Sequence, residues 1–145
     1  MRTGMRQSRW SSGYPVNPIG SFTDPEYAQV GLTEAKARET HDVLVSKTPF
    51  EEAIRPTIDG RTTGFCKLIV DRGTHTILGC HIVGERAVEI IQMASIAMVG
   101  GVRVDELARI PLSLPTYTGV LLRAVNRATA ELGHEPRTDL LDLAA

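Results

Sequence analysis

The sequence predicts an α+β domain in which an antiparallel β-sheet carries helices on its face. Three observations lead there. Two apolar, β-prone runs, Phe65 to Val70 and Thr76 to Val83, are joined by Asp71-Arg72-Gly73-Thr74-His75, a turn-rich linker of hairpin length. Strand-like stretches and one short helix come before this hairpin and helical periods come after it, an order that suits segregated α+β layers rather than a βαβ series. The 145 residues, 42% hydrophobic and 23% charged, are enough for one domain with a real core and too few for two.

Residues 1–13 are polar, contain Gly and Ser and lack periodicity, so they are expected to form a disordered leader, with the domain over 14–133 and a tail over 134–145. Between Ile19 and Leu32 the pattern is strand-like but broken at Asp24-Pro25, where proline turns the preceding residue away from helix. Two short strands or one kinked strand fit. Thr33 is a good N-cap and Glu34 places a carboxylate in the first turn, so Glu34 to Glu39 reads as a short helix. Val43 to Thr48 alternates as a strand does. The stretch Pro49 to Asp59 holds two prolines and is expected to form one helical turn around Glu51 to Ile54, then a turn at Asp59-Gly60.

In the hairpin both faces are apolar, with Phe65 and Ile69 on one and Cys66, Leu68 and Val70 on the other. This places it centrally in its sheet, covered on both sides. Gly84-Glu85 opens a helix whose apolar residues Ala87, Val88, Ile90, Ile91, Ala94, Ala97 and Met98 exceed one stripe, so it is buried against more than one surface. Gly100-Gly101 ends it, a short helical turn around Asp105 to Ala108 follows, and Pro111 stops that. From Thr118 the apolar positions Val120, Leu121, Ala124, Val125, Ala128 and Leu132 keep a 3.6-residue period, with Arg123, Asn126, Arg127 and Glu131 opposite. Gly133 closes this last helix.

A net charge of −1 supplies no field to recruit nucleic acid or an anionic membrane, and Arg2, Arg6 and Arg9 form one basic cluster in the leader. Neither partner is expected. The longest apolar run, near Ile90 to Gly101, is interrupted by Gln92 and Ser95 and is too short to span a bilayer, so a cytoplasmic location is the simplest expectation. Cys66 and Cys80 make no local redox motif and are expected as two reduced core thiols, opposite each other or one residue out of register in the hairpin. His41, His75, His81 and His134 show no metal-ligand spacing with a cysteine or carboxylate, so no metal is expected. His81 reads as a partly buried histidine with one hydrogen bond, Lys67 as a surface lysine, and Ser113 as lacking a base.

Four stretches, in order, resemble the C-terminal dimerisation domain of the pyridine nucleotide-disulfide oxidoreductases: glutathione reductase, dihydrolipoamide dehydrogenase and mercuric reductase. They are Phe22-Thr23-Asp24-Pro25-Glu26 with Val30-Gly31-Leu32-Thr33-Glu34, Gly64 to Asp71, Ile77 to Gly84, and Pro115-Thr116-Tyr117-Thr118-Gly119. Together they cover roughly Pro15 to Gly133. In the family the last stretch reads His-Pro-Thr-x-Ser-Glu, the imidazole serving as acid-base and the carboxylate orienting it. Here Leu114 stands at the histidine position and Gly119 at the glutamate position, so the loop offers no proton-transfer group.

The resemblance implies that FAD and NAD(P)H serve a parent enzyme and bind Rossmann-like domains upstream. This chain, without a G-x-G-x-x-G turn, is expected to bind neither alone. It implies a cis Leu114-Pro115 peptide and a backbone role for Leu114 and Pro115 at the flavin of a partner subunit. The expected two-fold contact comprises Ile90, Ile91, Ala94, Met98, Pro115 and Tyr117. For Tyr117 an interface role with a wet hydroxyl is preferred to proton donation. The expected partner is a second copy or the FAD/NAD(P)-binding domains of the parent. The alternative is a free-standing interaction module without cofactor, and a small enzyme built on Tyr117 or Lys67 ranks last. The leader bears no sign of a Rossmann domain, which favours a truncated frame or a separately encoded piece over a fragment.

Overall fold

The hairpin sits at the centre of the sheet, as its two apolar faces require. The structure is a computed structural model that describes residues 16–135; the expected disordered leader, residues 1–13, and the tail beyond residue 135 lie outside them. Five strands, β1 (Ile19–Ser21), β2 (Tyr27–Gly31), β3 (Val43–Pro49), β4 (Phe65–Asp71) and β5 (Ile77–Val83), pair antiparallel throughout in the order β1-β2-β5-β4-β3. The proline at 25 divides the first strand-like stretch, and its peptide with Asp24 is cis.

Helices α3 (Ala87–Gly100) and α5 (Gly119–Glu131) lie on one face, α3 against β1, β2 and β5 and α5 against β3 and β4. Cys66, Leu68, Val70, Cys80 and Ile82 point into this layer and are fully or almost fully buried. Each such aliphatic side chain contributes roughly 1.5–3 kcal/mol through removal from water. On the opposite face, α1 (Glu34–Arg38) lays Ala37 over Val43, Ile69 and Leu78. Thr33 caps α1, its hydroxyl accepting from the Lys36 amide at 3.3 Å. The short α4 (Val104–Leu107) packs on α5. With both sheet and α4 beside it, α5 buries more than one stripe, and Asn126, expected on the polar side, is 4% exposed.

Three expectations need correction. The stretch after β3 is more helical than expected: a 3₁₀ turn (Phe50–Glu52) leads into α2 (Ile54–Asp59), closed by Gly60 in the left-handed conformation. Pro56 is compatible because it occupies the first turn, where amide protons have no intrahelical partner. Helix α3 begins at Ala87 rather than at Gly84-Glu85, because Gly84 and Arg86 have φ of 145° and 61°. The Glu26 carboxylate accepts from the Val88 amide at 3.1 Å, supplying from β2's approach the cap that Arg86 does not.

Third, Cys66 and Cys80 are neither opposite nor one residue apart. Cys66 pairs with Ile82 and Leu68 with Cys80, a diagonal relation two residues out of register. The turn pairs Val70 with Ile77, and a bulge next to it shifts the remaining ladder to Ile69 with Gly79. Both thiols remain free and buried, 3.9 Å apart. The hydrogen bond to Cys80, followed by burial, pushes the Cys66 thiol well above its ordinary range, which keeps it an unreactive core group.

Candidate functional site

The loop between α4 and α5 is built by its own short-range bonds. The Leu114-Pro115 peptide is cis, as the family resemblance implies. The Thr116 hydroxyl donates to the Ser113 carbonyl at 3.0 Å, and the Gly119 amide donates to the Thr116 carbonyl at 3.1 Å. These bonds turn the chain into α5. Leu114, Pro115, Thr116 and Gly119 line a shallow cleft with Ala53 and Ile54 from the α2 side and Leu122 and Arg123 from α5.

Within this loop positions 114 and 119 are neighbours. A Cβ added at Gly119 would lie 3.3 Å from Leu114 Cδ2, tighter than ordinary van der Waals contact. The pair is a methyl group against bare backbone. Neither side chain can accept or deliver a proton.

Tyr117 is the nearest titratable group in the loop. It packs against the main core, and its hydroxyl donates to Asp59 Oδ2 at 2.8 Å in an exposed hydrogen bond. Arg55 donates to the same carboxylate oxygen at 2.8 Å. Desolvation, followed by the hydrogen bond to Asp59, pushes the phenol up to about 12, which makes it a reluctant acid near neutrality. The bonds from Arg55 and then Tyr117 hold the Asp59 carboxyl below its usual value. A spectrophotometric titration should show one tyrosine ionising near 12, and Asp59→Asn should lower that value by removing the negative acceptor. An unchanged phenol in Asp59→Asn would contradict the assignment.

The other sequence candidates lie apart from this loop. Lys67 pairs with Glu34, which Arg38 also engages, so its ammonium serves to fasten α1 to β4. His81 Nε2 lies 3.0 Å from the Leu32 carbonyl, the single hydrogen bond expected of it. Ser113 accepts through its carbonyl from the Thr116 hydroxyl.

The interface expectation is corrected for Ile90, Ile91 and Ala94. They are 2%, 0% and 0% exposed against the chain's own sheet, which explains the breadth of the apolar pattern in α3 without a second subunit. Met98 also packs on this core. Exposed apolar residues of α2 lie beside the loop, Ile54 in its cleft and Ile58 one residue before Asp59, 36% and 65% exposed; their signal was present in the sequence but was absorbed into a stretch read as mostly non-helical.

Local spacing also missed a convergence. His75 in the β4–β5 turn, Asp105 in α4 and His134 beyond α5 bring one ligand-type atom each within 4.8 Å of one another. They come from three separate elements, so no short-range motif announces them. His75 Nδ1 lies 3.1 Å from Asp105 Oδ1, and Arg103 donates to Asp105 Oδ2 at 2.9 Å. Burial raises the Asp105 carboxyl, but the His75 hydrogen bond and then the bonds and charge around it outweigh that and hold it below its usual value.

Among the described residues no helix is long and apolar enough to cross a membrane. Comparison with known proteins agrees with the fold. The family model for the pyridine nucleotide-disulphide oxidoreductase dimerisation domain matches residues 17–125. A mercuric reductase from Lysinibacillus sphaericus is 42% identical over 93 residues, which is 63% of this chain and 17% of that one. A dihydrolipoyl dehydrogenase from Synechocystis is 36% identical over 120 residues, 79% of this chain and 25% of that one. Among solved structures, LpdA from Mycobacterium tuberculosis superposes with a TM-score of 0.72 at 25% identity, covering 77% of this chain and 25% of LpdA. The HOCl-induced flavoprotein disulfide reductase RclA from Escherichia coli gives 0.68 at 25% identity, covering 89% and 26%. The chain thus spans about a quarter or less of the length of these relatives.

Proposed function

This chain belongs to the family of the pyridine nucleotide-disulphide oxidoreductase dimerisation domain, and from that premise we propose that it brings two subunits of a flavoprotein disulfide reductase together while supplying no acid-base group of its own. The observation that carries the reading is the loop at 113–119: its backbone and the adjacency of positions 114 and 119 suit the family role, whereas Leu114 and Gly119 cannot transfer a proton. The parent uses FAD and NAD(P)H, bound by domains other than this one. When bound, the flavin supplies the redox chemistry, passing reducing equivalents from the nicotinamide to the acceptor.

The described residues fit a flavin only as a wall. The cleft is formed mostly by Leu114, Pro115, Ala53, Ile54 and Leu122, apolar groups with no cradle of amides for a pyrophosphate. The chain's part is therefore positional: the Leu114 and Pro115 main chain closes the apolar side of a partner subunit's flavin site and keeps water from it. In this reading the subunit contact is formed by Pro115 and Tyr117, with Ile54 and Ile58 of α2 beside them, and the assembly works in the cytoplasm in redox homeostasis. The free-standing reading, self-pairing without any cofactor, shares this surface.

Visible spectra of the purified chain mixed with FAD and NADPH and then desalted test the division of labour. We expect no retained flavin absorbance. A yellow protein with a stoichiometric isoalloxazine spectrum would overturn the proposal.

A further inference from the structure

We propose that His75, Asp105 and His134 form a binding site for a divalent transition-metal ion of the borderline class, independent of any flavin chemistry. Two imidazoles and one carboxylate are a donor set that suits Zn²⁺ and its neighbours rather than Ca²⁺ or Mg²⁺, which take oxygen shells. The three side chains converge from the hairpin turn, from α4 and from the end of α5, with ligand atoms within 4.8 Å. Tetrahedral coordination with bonds of about 2.1 Å places ligand atoms about 3.4 Å apart. The His75 and Asp105 atoms, at 3.1 Å, are already at that separation.

His134 closes the remaining gap. Its ring stands edge-on to His75, with centroids 5.0 Å apart and an angle of 81° between planes. It follows Gly133, whose φ is 82°, beyond the last helix, so a rotation about its own side-chain bonds brings a nitrogen inward without disturbing the core. The other two ligands are held in place. His75 has a φ of 61° and its carbonyl accepts from the Val104 amide at 3.0 Å, which pins the turn to α4. Asp105 is 4% exposed; Arg103 engages its Oδ2, and its Oδ1, which His75 Nδ1 now contacts at 3.1 Å, is the oxygen that would turn to the ion as that contact gives way. Three protein ligands leave a fourth position for water, an open site rather than a closed structural one.

Zn²⁺ titrated into the full 145-residue chain and followed by imidazole NMR tests this. One equivalent should shift the ring resonances of His75 and His134 and leave those of His41 and His81 in place, and Co²⁺ at the same site should give visible d–d absorption of a low-coordinate ion. His134→Ala, outside all the helices, should weaken Zn²⁺ binding about tenfold or more, and His75→Asn, which tolerates the left-handed backbone, should do the same. Absence of binding, shifts on His41 or His81 instead, or unaltered affinity in both variants would overturn the site.

Discussion

Gly84→Ala is expected to lower stability by about 4 kcal/mol, a large share of the roughly 5–15 kcal/mol that holds a domain folded. Two costs combine. Gly84 has a φ of 145°, outside the range L side chains adopt comfortably, and a Cβ there would lie 2.4 Å from Cζ of Phe50. Phe50 is 0% exposed, so its ring has no free space to retreat into. The position also matters for connectivity: the Gly84 amide donates to the Glu26 carbonyl at 2.9 Å, where β5 hands over to α3. Gly60→Ala provides the control, because Gly60 has a φ of 66° but nothing within 4 Å of an added Cβ; it should cost only about 1 kcal/mol of backbone strain. Chemical denaturation of the two variants separates clash from strain, and equal losses would show that Phe50 yields.

The second large effect is on association. Ile58→Asp should weaken self-association by roughly 100-fold, about 2.7 kcal/mol, because it places an unpaired carboxylate in an apolar contact. Ile58 is 65% exposed in the single chain, so the folded monomer has little to lose and its thermal unfolding at low concentration should stay within about 0.5 kcal/mol of the wild type. A drop in association at constant monomer stability identifies α2 as part of the contact. Loss of both would mean that the residue belongs to the core, and loss of neither would remove this surface from the account.

How far the sequence speaks depends on the range of the contacts involved. The hairpin was legible because strand propensity, turn residues and two-sided apolarity agree over residues 65–83, and the structure centres its sheet on them. Helix α5 was legible from its period, although Asn126 was assigned to solvent and is 4% exposed. Helix α2 was underestimated because two prolines flag a loop, whereas Pro49 precedes the helical turn and Pro56 sits in the first turn of α2.

The cysteine register failed for want of one residue of bulge, a detail carried by neither thiol. In the site, the cis peptide at Leu114-Pro115 was readable through family resemblance. The bond from Tyr117 to Asp59, 58 residues apart in sequence, and the meeting of His75, Asp105 and His134 are tertiary facts. No window of sequence contains them. The breadth of α3 was misread for a related reason: an apolar surface looks the same in sequence whether it meets its own sheet or another subunit, and Ile90, Ile91 and Ala94 meet their own.

Sedimentation equilibrium of the wild-type chain without added cofactor tests the central claim most directly. The account predicts a reversible two-fold species at twice the chain mass, with dissociation displaced to higher concentration by Ile58→Asp. A chain that remains monomeric at concentrations of hundreds of micromolar, while folded by circular dichroism, would contradict it.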